Sequence, residues 1–129
     1  MIFDTDVLVW ATRGNTAAAR AVDRAADRAL SIVSLMELLQ GARSKLEARQ
    51  IQQSLRQADF RVLPLSETIG SKAASLIEQH SLATGIELAD ALIAATVLDA
   101  NDFFCTANTK HFREIRGLSL TSFRPASAR

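Results

Sequence analysis

The sequence predicts a three-layer α/β/α sandwich around a central, mainly parallel sheet of four to five strands. Short apolar runs alternate along the chain with longer segments of helical periodicity, a pattern typical of parallel strands joined by crossover helices. The chain has 129 residues, of which 48% are hydrophobic and 22% charged. That length suits one domain and that composition suits a folded core. We therefore expect a single domain over residues 1–129, with a core at about 1–120 and a short basic C-terminal tail.

The predicted strands are short apolar runs, each bounded by charged, polar or helix-breaking residues. They span residues 1–4, 30–33, 60–63, 103–105 and, as a possible fifth strand, 118–120. The first strand leads into the acids Asp4 and Asp6, and the third is stopped by Pro64, which has no backbone N–H to donate. Because helices separate the runs, we expect parallel strands with both faces of the sheet covered.

The predicted helices fill the intervals between these strands. They span residues 16–29, 34–42, 44–58, 66–82 and 87–100, with helical turns after the first strand and at 108–112. Asn15 and Ser66 supply N-caps, and Gly85 suits the left-handed residue that ends a helix. Ser34 and Glu37 have the spacing of a capping box, which predicts that Ser34 begins the helix after the second strand.

Composition excludes several classes of protein. No apolar run approaches the roughly 18 residues that a membrane helix needs. Asp4 and Asp6 are unlike the basic start of a signal peptide. Cys105 is the single cysteine, so an internal disulfide is excluded, and no Cys/His cluster suggests a zinc site. We expect a soluble, cytoplasmic protein.

The net charge of +1 is uninformative by itself, but the charges are unevenly distributed. After residue 105, the single acid Glu114 stands against the basic residues Lys110, Arg113, Arg116, Arg124 and Arg129. Such a tail is compatible with a phosphate-bearing partner and equally with a solvated chain end.

Acidic and polar residues follow three of the predicted strands. Asp4 and Asp6 follow the first strand, and Glu37 lies beyond the second. Thr106 and Asn108 follow the fourth. Open parallel sheets bind their ligands beyond the carboxyl ends of the strands, so we expect these residues to meet at one edge.

Asp90 is predicted to reach the same edge from a helix. It lies in the first turn of the helix at 87–100, on one face with Ile93, Ala94 and Val97, so its side chain is predicted to point inward. A buried carboxylate is costly unless a positive or hydrogen-bonding group meets it.

Each acid also has a purely structural interpretation, and both interpretations stay open at this point. Glu37 would complete the capping box, Asp90 would complement its helix dipole, and Asp4 and Asp6 would cap the first helical turn. Grouped at one edge, however, two carboxylates about 4 Å apart repel by roughly 4 kcal/mol at an effective dielectric near 20. A cation would relieve this repulsion, and oxygen ligands without His or Cys favour Mg²⁺ or Mn²⁺ over Zn²⁺.

Four segments stand in a characteristic order along the chain. They are DTDVL at Asp4–Leu8, SLMEL at Ser34–Leu38, LADALIAA at Leu88–Ala95 and TANTKHF at Thr106–Phe112. Together they resemble the PIN domain and, more narrowly, the VapC-type ribonuclease toxins of VapBC toxin–antitoxin pairs. The likeness extends from Met1 to about Leu120, and the ordered set is far more specific than any one segment.

The resemblance implies a divalent-metal-dependent endoribonuclease that hydrolyses RNA phosphodiester bonds, leaving a 5′-phosphate and a 3′-hydroxyl. Asp4 and Asp90 match the principal metal-binding acids of the family, and Glu37 matches the acid of the second segment. These three are therefore the implied catalytic and metal-binding residues, with Mg²⁺ or Mn²⁺ as the cofactor. Some relatives carry a further acid at the position of His111, which this chain lacks.

Other residues receive lesser roles from the same resemblance. The supporting positions around the implied metal are Asp6, Thr106 and Asn108. The residues expected to contact the RNA backbone are Arg43, Lys110 and Arg113.

The implied partners are an RNA substrate, a VapB-type antitoxin that inhibits the enzyme, and a second copy of the chain in a homodimer. The toxin would also form a hetero-oligomer with the antitoxin, and no membrane is involved. One alternative is a catalytically silent binding module that keeps the fold. A weaker alternative is an aspartyl-phosphate phosphatase, which DTDVL also fits, but the later lysine and paired acids of such enzymes are missing.

Overall fold

The computed structural model describes residues 1–127, which form five strands and seven helices within that range. The strands are β1 (Ile2–Phe3), β2 (Arg28–Ser31), β3 (Phe60–Leu63), β4 (Phe103–Thr106) and β5 (Ser119–Ser122). The helices are α1 (Thr5–Thr12), α2 (Thr16–Arg24), α3 (Ile32–Gln40), α4 (Lys45–Gln57), α5 (Glu67–Thr84), α6 (Leu88–Ala100) and α7 (Thr109–Phe112). Arg129, counted above in the basic tail, lies outside the described residues.

The strands form one parallel sheet in the order β3-β2-β1-β4-β5. Helices cover both of its faces, so the predicted three-layer α/β/α sandwich is confirmed. The possible fifth strand is also present, paired with β4 from Phe103↔Ser119 to Thr106↔Ser122. Strand order reverses beside β1, because the chain runs from β1 outward to β3 and then returns to β4 on the other side. Such a reversal opens a crevice at the carboxyl ends of the two central strands.

Successive side chains along each strand point to opposite faces of the sheet, and this divides the core into two layers. Ile2 and Phe104 point to the α5–α6 side, while their neighbours Phe3 and Cys105 point to the α1–α3 side. All four side chains are at most 2% exposed, because a strand buried on both faces turns successive side chains to opposite layers.

The junction between α2 and β2 differs from the sequence prediction. Helix α2 ends at Arg24 rather than at residue 29, and β2 begins at Arg28 rather than at residue 30. Ala25 is extended, and the Arg28 guanidinium donates hydrogen bonds to the carbonyls of Ala25 and Ala58. These bonds stabilise a turn in a segment whose alanine content indicated continued helix.

The predicted capping box at Ser34 and Glu37 is wrong. Ser31 caps α3 instead, with its hydroxyl accepting a hydrogen bond from the Val33 N–H at 3.0 Å. The apolar run at 30–33 thus spans the end of a strand and the start of a helix. A side chain that caps a helix decides such a boundary, and hydrophobicity alone does not.

Other predicted termini are confirmed. Asn15 and Ser66 cap α2 and α5 with their side chains, and Ser44, at the start of the helix predicted over 44–58, caps α4 in the same way. Gly85 ends α5 at φ +72°, in the left-handed region that glycine adopts without a steric cost. Among the described residues, no helix combines the length and the apolar character that crossing a bilayer requires.

Candidate active site

Asp4 occupies the centre of the carboxyl edge, directly after β1. It is 6% exposed, and it N-caps α1 by accepting a hydrogen bond from the Thr5 N–H at 2.9 Å. Its other carboxylate oxygen accepts the Thr106 hydroxyl, from the end of β4, at 2.8 Å. Burial, together with the charge of Asp6, raises the pKa of Asp4 to about 7, against the opposing effect of the two hydrogen bonds.

Asp6 lies in the first turn of α1, two residues after Asp4, and joins this helix to the segment after β4. Its two carboxylate oxygens accept hydrogen bonds from the backbone N–H groups of Val7 at 2.7 Å and Ala107 at 3.2 Å. Burial raises the pKa of Asp6, and the charges of Asp90 and Glu37 add to that rise. Two fixed bonds make Asp6 a tether between the central strands as well as a local negative charge.

Glu37 reaches this edge from α3 and is exposed at the surface. Its carboxylate accepts the Thr5 hydroxyl at 2.7 Å, and the Thr5 and Ser34 oxygens are 2.9 Å apart. Ser34 is fully buried between the two helices. Ser34 and Glu37 therefore cooperate through Thr5, across helices, and not as the capping box that their spacing suggests.

Asp90 faces the edge from the first turn of α6, with its side chain 23% exposed. Its Oδ2 atom lies 3.1 Å from Nδ1 of His111 on α7. The same ring nitrogen lies 2.9 Å from the side-chain amide of Asn108. The inward-pointing Asp90 predicted from the helix face thus has a histidine as its polar partner.

These residues form an acidic cluster, defined here as Asp4, Asp6, Glu37 and Asp90. The charges of Asp6 and Asp90 both raise the pKa of Asp4, and those of Asp90 and Glu37 raise the pKa of Asp6, so the four carboxylates lie near enough to influence one another. Within residues 1–127, no Lys or Arg forms an ion pair with any of them. The cluster therefore presents negative charge that only hydrogen bonds offset.

The cluster is open, and its side chains do not converge as a closed cage. Among the described residues, no group of three or more His, Cys, Asp or Glu side chains lies close enough together to hold a metal ion. Thr106 and Asn108 add a hydroxyl and an amide at the end of β4. An ion that keeps several waters and uses one or two carboxylates fits such an arrangement, as Mg²⁺ commonly does.

The predicted RNA-contacting residues lie outside the cluster. Lys110 and Arg113 are exposed on and after α7, close in sequence to Asn108. Arg43 lies in the loop between α3 and α4, where it pairs with Glu47 at 3.2 Å and is 88% exposed. The basic residues thus come from two separate elements.

A groove of about 900 Å³ lies between α1–α2 and α3–α4. Leu8, Val22 and Leu55 are among its apolar lining residues, and Glu37 and Arg43 lie at its rim. Glu37 thus belongs both to the groove and to the acidic cluster, so a ligand in the groove would approach the acids directly.

Sequence reasoning missed three polar contacts at this edge. Thr5 was not identified as the partner of Glu37, nor Ser34 as the partner of Thr5, because their 29-residue separation conceals the contact. The contact between His111 and Asp90 was likewise not predicted. The one available signal was the position of Thr5 between two acids at a helix start.

The fold and the acidic cluster define an α/β protein that gathers carboxylates at the switch point of a parallel sheet. A family model for the PIN domain matches residues 1–118. The chain therefore belongs to the PIN domain family, as its sequence motifs predicted.

Solved structures similar to this chain come from bacterial toxin–antitoxin systems. A toxin–antitoxin complex from Klebsiella pneumoniae is 25% identical with a TM-score of 0.79, covering 94% of this chain and 95% of its own. VapBC2 from Rickettsia felis, bound to a promoter DNA fragment, is 24% identical with a TM-score of 0.77, covering 96% and 100%. VapBC-1 from nontypeable Haemophilus influenzae is 22% identical with a TM-score of 0.77, covering 95% and 98%. A search of curated proteins finds no match.

Proposed function

We propose that this chain is a VapC-type toxin, a divalent-metal-dependent endoribonuclease that hydrolyses RNA phosphodiester bonds. The observation that carries the proposal is the acidic cluster at the switch point, with the buried Asp4 at its centre. Family membership and the toxin–antitoxin complexes among its structural neighbours support the same conclusion. The chain would act in the cytoplasm, where its RNA substrates are.

In this proposal Asp4 and Asp90 hold Mg²⁺ or Mn²⁺, and Glu37 completes the ligand set or orients the attacking water. The ion, when bound, activates water and stabilises the charge that develops on the scissile phosphate. Asp4 is suited to this role because hydrogen bonds from Thr5 and Thr106 fix both of its oxygens. Each bond uses part of an oxygen's accepting capacity and leaves lone pairs for a cation.

The remaining residues of the edge position the reacting groups. Asp6 keeps the segment after β4 close to α1 through Ala107, and so keeps Thr106 beside Asp4. Thr106 is fully buried and donates its hydroxyl proton to Asp4, so it supports that carboxylate and does not reach the substrate. Asn108 would hydrogen-bond a water or a phosphate oxygen at this edge. Lys110, Arg113 and Arg43 would contact phosphates of the RNA backbone, which positions the strand without reading its sequence.

The groove beside Glu37 supports a protein partner. An apolar floor with charged residues at the rim is the surface that an amphipathic helix requires. We assign this groove to a VapB-type antitoxin, which would block access to the acids through the shared residue Glu37. The toxin would act as a homodimer and form a hetero-oligomer with the antitoxin.

The proposal is tested by incubating antitoxin-free protein with pooled tRNA and mRNA in Mg²⁺ or Mn²⁺, with and without EDTA. Asp90→Asn should reduce cleavage at least about 100-fold, because it removes an ionic ligand. Asp99→Asn is the matched control, since Asp99 lies on the same helix but 42% exposed beside Lys72. We expect metal-dependent cuts that survive in the control and disappear with EDTA and in Asp90→Asn.

Cleavage that resists both EDTA and Asp90→Asn would contradict the assignment of the acidic cluster. A folded, antitoxin-free protein that cuts no RNA with either ion would instead favour the catalytically silent binding module. The open geometry of the cluster is the observation that makes this second function worth testing.

A further inference from the structure

His111 is the polar partner of Asp90 in the acidic cluster. Its Nδ1 atom lies 3.1 Å from Asp90 Oδ2 and 2.9 Å from the side-chain amide of Asn108. The three residues come from α6, α7 and the cap of α7, so they connect the first turn of one helix to the end of β4. Both His111 and Asp90 are only partly exposed, at 29% and 23% of their side-chain surfaces.

The acids of the cluster differ in how firmly they are held. Asp4 and Asp6 each accept two hydrogen bonds, and every one includes a backbone N–H or a buried hydroxyl. Over residues 1–127, the only hydrogen bond of the Asp90 side chain is the one with His111. The direction of the Asp90 carboxylate therefore depends on one imidazole.

Hydrogen-bond chemistry fixes which form of the ring can do this. A carboxylate only accepts, so Nδ1 must carry a proton and donate it to Asp90. The same nitrogen cannot then accept from the Asn108 amide nitrogen that lies beside it, so the amide must turn to present its oxygen, and the single Nδ1–H is shared between the Asp90 and Asn108 oxygens. Rotating the Asn108 side-chain amide by 180° exchanges its oxygen and nitrogen with almost no change in shape.

We propose that His111, in the tautomer with the proton on Nδ1, is a positioning residue that holds Asp90 toward Asp4, with Asn108 holding the ring in turn. The inference rests on the proposed function in one respect, since its consequence is tighter binding of the divalent ion by Asp90. Residues that orient metal ligands in this way commonly contribute 10- to 100-fold to metal affinity.

The first test measures Mn²⁺ binding to RNA-free protein by titration calorimetry. His111→Phe keeps a planar ring but removes the donor, and it should weaken Mn²⁺ binding about 10- to 100-fold. His111→Asn keeps an N–H near the position of Nδ1 and should retain most of the affinity. His80→Phe is the matched control, because His80 lies on α5 and makes no side-chain hydrogen bond among the described residues.

The second test needs no metal. Long-range ¹H–¹⁵N spectra of the wild-type protein should show the His111 ring in the Nδ1–H form, with resonances that shift in Asp90→Asn and stay unchanged in Asp99→Asn. Thermal melts of each variant identify any loss of folding.

The outcomes separate this inference from the proposed function. His111→Phe that binds Mn²⁺ like the wild type, His111→Asn that is as weak as His111→Phe, or a ring in the Nε2–H form would overturn the positioning role. Each of these results leaves the nuclease intact. A wild-type protein that binds no Mn²⁺ and cuts no RNA, but whose His111 ring is in the Nδ1–H form and responds to Asp90→Asn, would contradict the proposed function. The hydrogen bond between His111 and Asp90 would still stand.

Discussion

Helices α4 and α6 are both 13 residues long, but α6 packs into the core and α4 lies at the surface. Helix α6 buries six side chains, three of them alanines, under a continuous apolar layer. Helix α4 has no fully buried residue, and Leu46 on it is 60% exposed. One helix carries Asp90 to the acidic cluster, and the other forms a wall of the groove.

The difference indicates how the molecule divides its tasks. Packing around α6 fixes the position of Asp90 in the acidic cluster. Helix α4 contributes little burial, and its exposed apolar residues gain contacts only from a partner in the groove. We therefore expect the α6 side to determine stability and catalysis, and the α4 side to determine recognition.

The largest effect on stability should come from Asp4. Its pKa of about 7 in the folded chain exceeds the ordinary value of 3.8, so the folded state retains a proton that the unfolded state releases between those two values. The free energy of unfolding must then fall as pH rises from about 4 to 7, by roughly 4 kcal/mol at most. Urea unfolding in EDTA measures this slope, and Asp4→Asn should reduce it and be more stable than the wild type at pH 8.

Asp99→Asn serves again as the control, because Asp99 is exposed and should leave the slope unchanged. A wild-type slope equal to that of Asp4→Asn would mean that Asp4 ionises in the folded protein without cost. The negative charge of the acidic cluster would then be stabilised in the folded protein more than the burial of Asp4 indicates.

The next effect concerns the packing of α6. Ile93 is 1% exposed within the α5–α6 core, and Ile93→Ala should cost about 3 kcal/mol through lost burial and the cavity it leaves. Ile51→Ala on α4 is the paired variant, since Ile51 is only half-buried beside the groove, and it should cost about 1 kcal/mol or less. Chemical denaturation of both variants measures the two losses in the free energy of unfolding. Equal losses would contradict the expectation that α6 contributes more to stability than α4.

The sequence was sufficient for the fold because the decisive signals were local. Short apolar runs, N-cap side chains and Gly85 predicted the element order, and the parallel sheet followed from helices between strands. Errors occurred where two local signals competed, as at Ser31, where one cap residue ends an apolar run that looks continuous. The side-chain bond from Arg28 that ends α2 spans 30 residues to Ala58, so no local pattern could reveal it.

The acids were predictable as a set, but their contacts were not. Their positions after strands, together with the family motifs, indicated the edge where Asp4 and Asp90 lie. The partners of Glu37 and Asp90 depend on how α1 meets α3 and how α7 meets α6. Those helix–helix arrangements are tertiary, so Thr5 and His111 could be found only in three dimensions.

A smaller difference is expected between α4 and α6 in the rate of amide hydrogen exchange. Amide protons of α4 should exchange with solvent at least about tenfold faster than those of α6, because local opening exposes less apolar surface there. Hydrogen-exchange mass spectrometry of peptides from 45–57 and 88–100 measures this. Addition of an antitoxin helix should slow exchange in α4 much more than in α6. Equal protection before and after addition would contradict the division of tasks.

The smallest effect is expected on the outer surface of α4. Leu46 is mostly exposed and belongs to neither core layer, so Leu46→Ala should change the free energy of unfolding by about 0.5 kcal/mol or less. Cleavage by the free protein should also stay the same, because no residue of the acidic cluster lies on α4. Chemical denaturation and RNA-cleavage assays of Leu46→Ala measure the two quantities. The comparison is Leu38→Ala, which truncates a buried side chain of α3. A loss for Leu46→Ala as large as that for Leu38→Ala would mean that a second surface already covers α4 in solution, since the described residues 1–127 leave that side chain 60% exposed.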